Sequence, residues 1–558
     1  MASCTPMEIH SMGSESKKNS FNNEEKKPVV TESIIDTKIT RVTSEENVDD
    51  PEELADLGYK QEFRRQLSLF GIFSIAFSVL GLLPSVASTL SFSLSYVGTP
   101  GLLWAWLIAI FFLICIALSM AEICSALPTS GGLYYAAAVF APEGWGPLAS
   151  WITGWSNYIG NVIGQPSVNS SAASMILGAV SINRPSYSPS NYQVFLLSVG
   201  IQCMHCFLAS LPTKYISKIN RVNTFINILF LFIAAFAIIG YAAKDDKFTH
   251  GTYPWREIKN TTNWPNGFAV LLSFNGAIWT MSGYDAPFHL SEECAKASVN
   301  APKAIVLTAV IGGIVGWLMQ VLVSYTIVDV HALMTGSGNM WTNYLSQVMP
   351  KRAAVAILSL TIFSTLMMGQ SSLIASSRIA YSYARDGILP FSGWIGKVNY
   401  QTKTPVNAVL CNGIISFCIL FLLFAGSETS SAVFSVGAVA AFSAFTIPIF
   451  IRVFCMKDSE FHRGPWNLGK YSRPIGALAC AFVALMIPVL CFPNDKNPSP
   501  KTMNWTCLVY GGPIFLTLLW YAISARKWFK GPKASETFKG ESNDSPPSIP
   551  EFFDGTEK

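Results

Sequence analysis

"MSGYDAPFH", residues 281–289, lies within an apolar run of about 267–291 that is long enough to cross a lipid bilayer. It sets Asp285 where hydrocarbon is expected, with Gly283 just before it and Pro287 just after. A charge near the bilayer centre costs at least roughly 2.5–3.5 kcal/mol, so an intramembrane carboxylate is read first as functional. Two roles fit: binding and releasing a proton, or pairing with a cationic group of a substrate. A structural carboxylate bonded to unwound backbone is the alternative. Glycine lowers the cost of non-helical torsions and proline removes a backbone donor. The stretch that carries the charge is therefore also where the helix can break.

The rest of the chain sets the context. Of its 558 residues, 51% are hydrophobic and only 13% charged, against about 25% charged in a soluble domain. The charges gather in the first 66 residues, the last 35 and short breaks between apolar runs. This pattern describes an all-α, polytopic membrane protein. Twelve candidate spans run over approximately 68–92, 101–121, 147–180, 191–212, 222–243, 267–291, 303–328, 353–379, 405–425, 431–452, 475–492 and 505–525. Residues 1–58 are polar, contain no apolar core of signal-peptide length and read as a disordered cytoplasmic tail. Residues 531–558 read as a second cytoplasmic tail, which leaves 59–530 as the membrane domain. The net charge of +4 gives no indication of nucleic acid. The 12 cysteines are mostly isolated in apolar runs, and the lone C-x-x-C of Cys203 and Cys206 reads as packing, not a metal site.

An even number of spans puts both ends of the chain on one side. Segments on that side hold 21 Lys and Arg and the opposite loops hold 9, so both termini are expected in the cytoplasm. Two glycosylation sequons, Asn260 ("NTT") and Asn504 ("NWT"), both fall on the outer side.

Three longer stretches carry a resemblance: "LGYKQEFRRQLSLFGIFSIAFSVLGLLPSVAST" (57–89), "MAEICSALPTSGGLYY" (120–135) and "SSRIAYSYARDGILPFSGWIGKVNYQTKTP" (376–405). Together they resemble the amino acid–polyamine–organocation transporters, and within them the fungal amino acid/choline permeases, especially the 4-aminobutyrate permeases. The resemblance covers roughly residues 52–530. It implies a leucine-transporter-like fold of twelve transmembrane helices. The first ten would form a five-plus-five inverted repeat (about 66–243 and 267–452), followed by two extra helices over 475–525. Substrate would bind where helices 1 and 6 are broken.

The residues point the same way. Span 1 contains "FSVLGLLPS" (77–85), with Gly81 and Pro84, and span 6 contains Gly283 and Pro287. Secondary transporters place their sites beside such paired interruptions, because freed backbone groups must face protein or a wet cavity. The candidate substrate-binding residues are Ser78, Val79, Leu80 and Gly81 of span 1 and Met281, Ser282, Gly283, Tyr284 and Asp285 of span 6. Asn157 and Tyr158 of span 3, with Asn161, add polar groups at helical spacing. Asp285 is also the candidate proton-coupling residue. The resemblance assigns Trp279 the role of an aromatic that closes over the substrate.

The chain departs from the family in span 1. Many α-amino acid carriers have Gly-Ser-Gly there, receiving the α-carboxylate on backbone amides, where this chain has Ser78-Val79-Leu80-Gly81. That speaks against an α-amino acid headgroup. It leaves 4-aminobutyrate, with its distant carboxylate, and choline, a polyamine or thiamine. Elsewhere, Asn223, Asn227 and Gln370 read as interhelical hydrogen-bonding groups, and Gly312 and Gly316 as a close helix contact. Glu122, Pro128, Arg378, Arg385 and Asp386 lie at cytoplasmic ends, as inner-gate or loop-structuring groups or as topology determinants alone.

The expectation is a secondary active transporter, not an enzyme, that imports 4-aminobutyrate or a related amino-bearing solute with protons by alternating access. It needs no cofactor and no metal, its partners are substrate, proton and bilayer, and it sits in the plasma membrane or a vacuolar membrane. No phosphate loop supports ATP-driven transport, and no ring of pore charges supports a channel. A non-transporting nutrient receptor is the remaining alternative.

Overall fold

A computed structural model describes residues 65–532, apart from 66, 185, 336–337, 426 and 500–502. The tail expected at 1–58, and all but the first two residues of that expected at 531–558, lie outside the described residues. Among the described residues all regular structure is helical, with one isolated bridge between Leu67 and Cys294.

Among the described residues, ten helical segments are long and apolar enough to cross a membrane. They match ten of the twelve expected spans, and the two outside this set are spans 3 and 6, for different reasons. Span 3 is the 38-residue α5 (Gly146–Asn183), long enough but carrying Asn157, Asn161, Gln165 and Asn169. It tolerates them because it runs through the protein interior, packed mainly on α14 (Ser427–Phe450) and α12 (Lys351–Arg385). Small residues make that packing close: a Cβ on Gly160 would stand 3.1 Å from the Ala441 backbone nitrogen. Span 6 is cut short. The 15-residue α8 (Asn266–Thr280) stops at a turn, and only α9 (Ala286–His289) resumes the helix before a 3-10 turn at Ser291–Glu293.

Span 1 is interrupted more sparingly. The helices α1 (Leu69–Leu80) and α2 (Leu82–Val97) are separated by Gly81 alone, in the left-handed region at φ 50°. Pro84 falls in the first turn of α2, where backbone donors have no intrahelical acceptor anyway. The Leu80 carbonyl, which the missing Pro84 N–H would have met, accepts the Ser85 hydroxyl at 2.6 Å instead. Next to this break, Leu80 and Trp106 of α3 (Trp106–Ala126) sit against Gly312 and Gly316 of α10 (Ala297–Thr326), the close contact that the glycine spacing predicts.

The outer faces of α7 (Thr213–Lys244) and α16 (Thr506–Trp520) expose Phe225, Phe232, Phe236, Leu508, Phe515 and Leu516. Such an apolar face suits contact with lipid.

Candidate functional site

At the break in span 6 the helical ladder lapses from Gly283 to Asp285. The Trp279 carbonyl accepts both the Ser282 amide (3.0 Å) and the Ser282 hydroxyl (2.7 Å), which turns the chain out of the helix. Gly283 then adopts φ 94°, a torsion that a side chain would strain. A Cβ there would also stand 2.7 Å from Val79 Cγ1. The two interruptions therefore interlock, with Val79 of span 1 seated on Gly283 of span 6.

A cavity of about 70 Å³ opens at this junction. Val79, Asn161, Trp279, Ser282, Gly283 and Asp285 reach it, and Gly160, Val168, Met368 and Phe445 complete much of its wall. Asp285, 5% exposed, is the one carboxylate in the lining, and the lining contains no Lys, Arg or His. On one side Trp279 packs with Phe92, Val168 and Met368 as an apolar cover. On the other side the segment after α9 is held by buried ion pairs. Glu292 faces Arg385 through both oxygens, at 3.2 Å each, and also accepts the Ser130 amide (3.1 Å) and hydroxyl (2.6 Å). Glu293 meets Arg378 Nε at 3.3 Å.

Not every expected residue reaches the cavity. Ser78 shares a hydrogen bond with Thr224 at 2.9 Å. Leu80 faces α10, and Met281 lies beside Gly312 and Gly313. Gly81 is covered by Met368, whose Sδ lies 2.6 Å from where a Cβ would be. Tyr284 packs near Phe445, ring centres 5.9 Å apart. Tyr158 donates to Asn412 Oδ1 at 2.9 Å, and Asn157 donates to Tyr383 Oη at 2.8 Å. Asn223 reaches the Met367 carbonyl and Ser371, which ties α7 to α12.

The groups expected at the cytoplasmic ends divide. Arg378 and Arg385 join the ion pairs below the cavity, and Asp386 accepts from Tyr134. Glu122 instead binds the Leu468 amide at 3.1 Å and the Ser472 hydroxyl, which fixes the loop between α14 and α15 (Ser472–Cys491). The sequon loops meet each other: Lys496 N donates to the Thr262 carbonyl at 3.1 Å, and Asn263 donates to Asp495 at 2.9 Å. Both hydrogens of each sequon amide are engaged, by Trp264 and Asn266 for Asn260 and by Leu490 and Phe492 for Asn504.

Sequence reasoning missed His289. It is 1% exposed, and its Nε2 lies 3.5 Å from Asp285 Oδ2 and 3.1 Å from Asn157 Nδ2. The signal was present, since a helical i, i+4 spacing places His289 on the Asp285 face. Its position at the end of the span hid it. Glu292 and Glu293 were missed for a similar reason, as they read as loop charges before the tertiary structure buries them.

The amino acid permease family model matches residues 67–513. An uncharacterized amino-acid permease of Schizosaccharomyces pombe is 71% identical over 512 residues, covering 92% of this chain and 90% of the relative. A putative polyamine transporter of Candida albicans is 41% identical over 540 residues, covering 94% and 97%. The GABA-specific permease of Saccharomyces cerevisiae is 30% identical over 502 residues, covering 89% and 88%. With apolar helices long enough to cross a bilayer around interrupted spans 1 and 6, and with this match over most of its length, the chain belongs to the amino acid permease family and is a multi-pass membrane protein.

Proposed function

We propose that the chain is a secondary active transporter that moves a small amino-bearing solute by alternating access, coupled to protons through Asp285. The observation that carries this reading is a single carboxylate in a cavity without basic side chains, closed by an apolar cover on one side and ion pairs on the other. A cation is what such a site recognises. Trp279 and Phe445 add aromatic faces on which an ammonium can rest. Trp279 is the cover that retains the substrate, and Ser282, Gly283 and Asn161 supply the polar wall.

The covering of Gly81 by Met368 bears on the substrate. The Gly81 amide donates to the Phe77 carbonyl at 3.0 Å and so is not available to a ligand carboxylate. An α-amino acid headgroup is thus disfavoured, and 4-aminobutyrate or a polyamine fits better. The absence of a basic lining group favours the polyamine of these two. Relatives named polyamine transporter and GABA-specific permease fall in the same range of chemistry.

The first ten spans form the inverted repeat, and the protein moves its solute across the plasma membrane with both tails in the cytoplasm. The charge distribution and the meeting of the two sequon loops at one end support that orientation. Uptake into proteoliposomes under a pH gradient tests the reading, with 4-aminobutyrate, choline, spermidine, thiamine and α-amino acids as the panel. Saturable accumulation of an amine, lost in Asp285→Asn, is expected. Accumulation of none would overturn it.

A further inference from the structure

We propose that His289 is the proton site of this transporter and Asp285 its counter-ion, so that a proton on His289 and a substrate ammonium compete for one carboxylate. The inference rests on the transport reading above and adds the residue that holds the proton. The ring of His289 is wholly buried, and its two nitrogens have unlike surroundings. Nδ1 lies 3.4 Å from the Ser130 carbonyl, which can only accept, so Nδ1 carries a hydrogen. Ser382 Oγ turns to the same oxygen at 3.5 Å.

That leaves Nε2 as the variable nitrogen, and the two groups facing it demand opposite states. Asn157 Nδ2, a donor, stands 3.1 Å away and asks for a bare Nε2. Asp285 Oδ2 stands 3.5 Å away and, when ionised, asks for a protonated one. On protonation, Nε2–H turns to Asp285 and the amide yields. Asn157 has other bonds to fall back on, since Nδ2 also donates to Tyr383 Oη at 2.8 Å and Oδ1 accepts from Asn161 at 3.0 Å. Asn161 lines the cavity, so the protonation state of His289 is linked to the cavity wall.

Other titratable groups surround the pair. Tyr284 on the same segment and Tyr383 of α12 lie within reach of the Asp285 charge. Tyr158 of α5 is turned to Asn412. Tyr134 and Tyr135 of α4 (Leu133–Phe140) lie by Asp386. Glu292 and Glu293 are paired with Arg385 and Arg378, and α1 brings no titratable side chain. Charge then decides the coupling. With either an imidazolium or an ammonium beside it, Asp285 is neutralised. With both, an uncompensated positive charge is left in a buried site, which is costly. Binding of an amine therefore expels the proton from His289, so that proton and amine are exchanged across the membrane and do not travel together.

The test is a substrate-free titration of the full protein in proteoliposomes by pH-difference infrared spectroscopy. The carboxyl band lost in Asp285→Asn reports Asp285, and the imidazole bands lost in His289→Gln report His289. In His289→Gln the midpoint of the carboxyl band should move, because its charged neighbour is gone. In Asp285→Asn the midpoint of the imidazole bands should move, because the counter-ion is gone. The two variants test one coupling from both ends, so either alone decides it if the other fails to fold. An unchanged midpoint overturns the proposal. Because no substrate is used, this result is separate from the uptake panel, whose failure would overturn the transport reading instead.

Discussion

Arg385→Met is the sharpest test of the closed side of the cavity. It keeps the length and apolar body of the side chain but removes two charge-assisted hydrogen bonds to Glu292, which is 2% exposed at its side chain. Breaking one side of a buried ion pair costs about 3–5 kcal/mol, because the remaining charge stays desolvated. Arg385 is 13% exposed, and Ser130 still donates two hydrogen bonds to the orphaned carboxylate, so the lower end, about 3 kcal/mol, applies. At about 1.4 kcal/mol per factor of ten, that is roughly 100-fold in the folding equilibrium. The assay is the thermal midpoint of detergent-purified protein, followed by its intrinsic tryptophan fluorescence. Adding Glu292→Gln should recover much of the loss, since the isolated charge then disappears along with its partner. The expected order is wild type, then the double variant, then Arg385→Met. A single variant as stable as wild type would refute the reasoning, because the pair would then behave as a solvated surface contact.

Three further outcomes are expected. Asp285→Asn should abolish proton-driven accumulation while the protein still reaches the membrane, and uptake with unchanged pH dependence would sink the coupling role. Trp279→Ala should release bound substrate faster while Trp279→Phe retains it, measured by washout of labelled amine; equal rates in all three proteins would remove Trp279 as a cover. Gly283→Ala should impair folding and uptake through both its φ of 94° and its contact with Val79 Cγ1. The torsional strain alone is about 1–3 kcal/mol. Val79→Ala should relieve the steric part only, and full rescue would show that the torsion is unimportant.

The amino-acid sequence by itself determined the membrane-spanning helices, the places where spans 1 and 6 break, and the presence of a carboxylate, Asp285, at the second break. These follow from local composition, since a run of apolar residues, a glycine beside a proline and a charge in hydrocarbon each carry their physical meaning without reference to the rest of the chain. The tertiary structure alone decided which residues share the cavity. Ser78, Leu80, Met281 and Tyr284 sit beside the breaks in sequence, but a helix sends successive side chains about 100° apart, so they face Thr224, α10 and Phe445. Met368 and Phe445 come from helices in which the sequence marks no site residue, and Val168 is an apolar position of span 3 that nothing in the sequence sets apart. His289 was in view from the start, four residues after Asp285. Only the fold, by placing the Ser130 carbonyl on one nitrogen and Asn157 with Asp285 on the other, turned an ordinary span-end histidine into the partner of the buried charge.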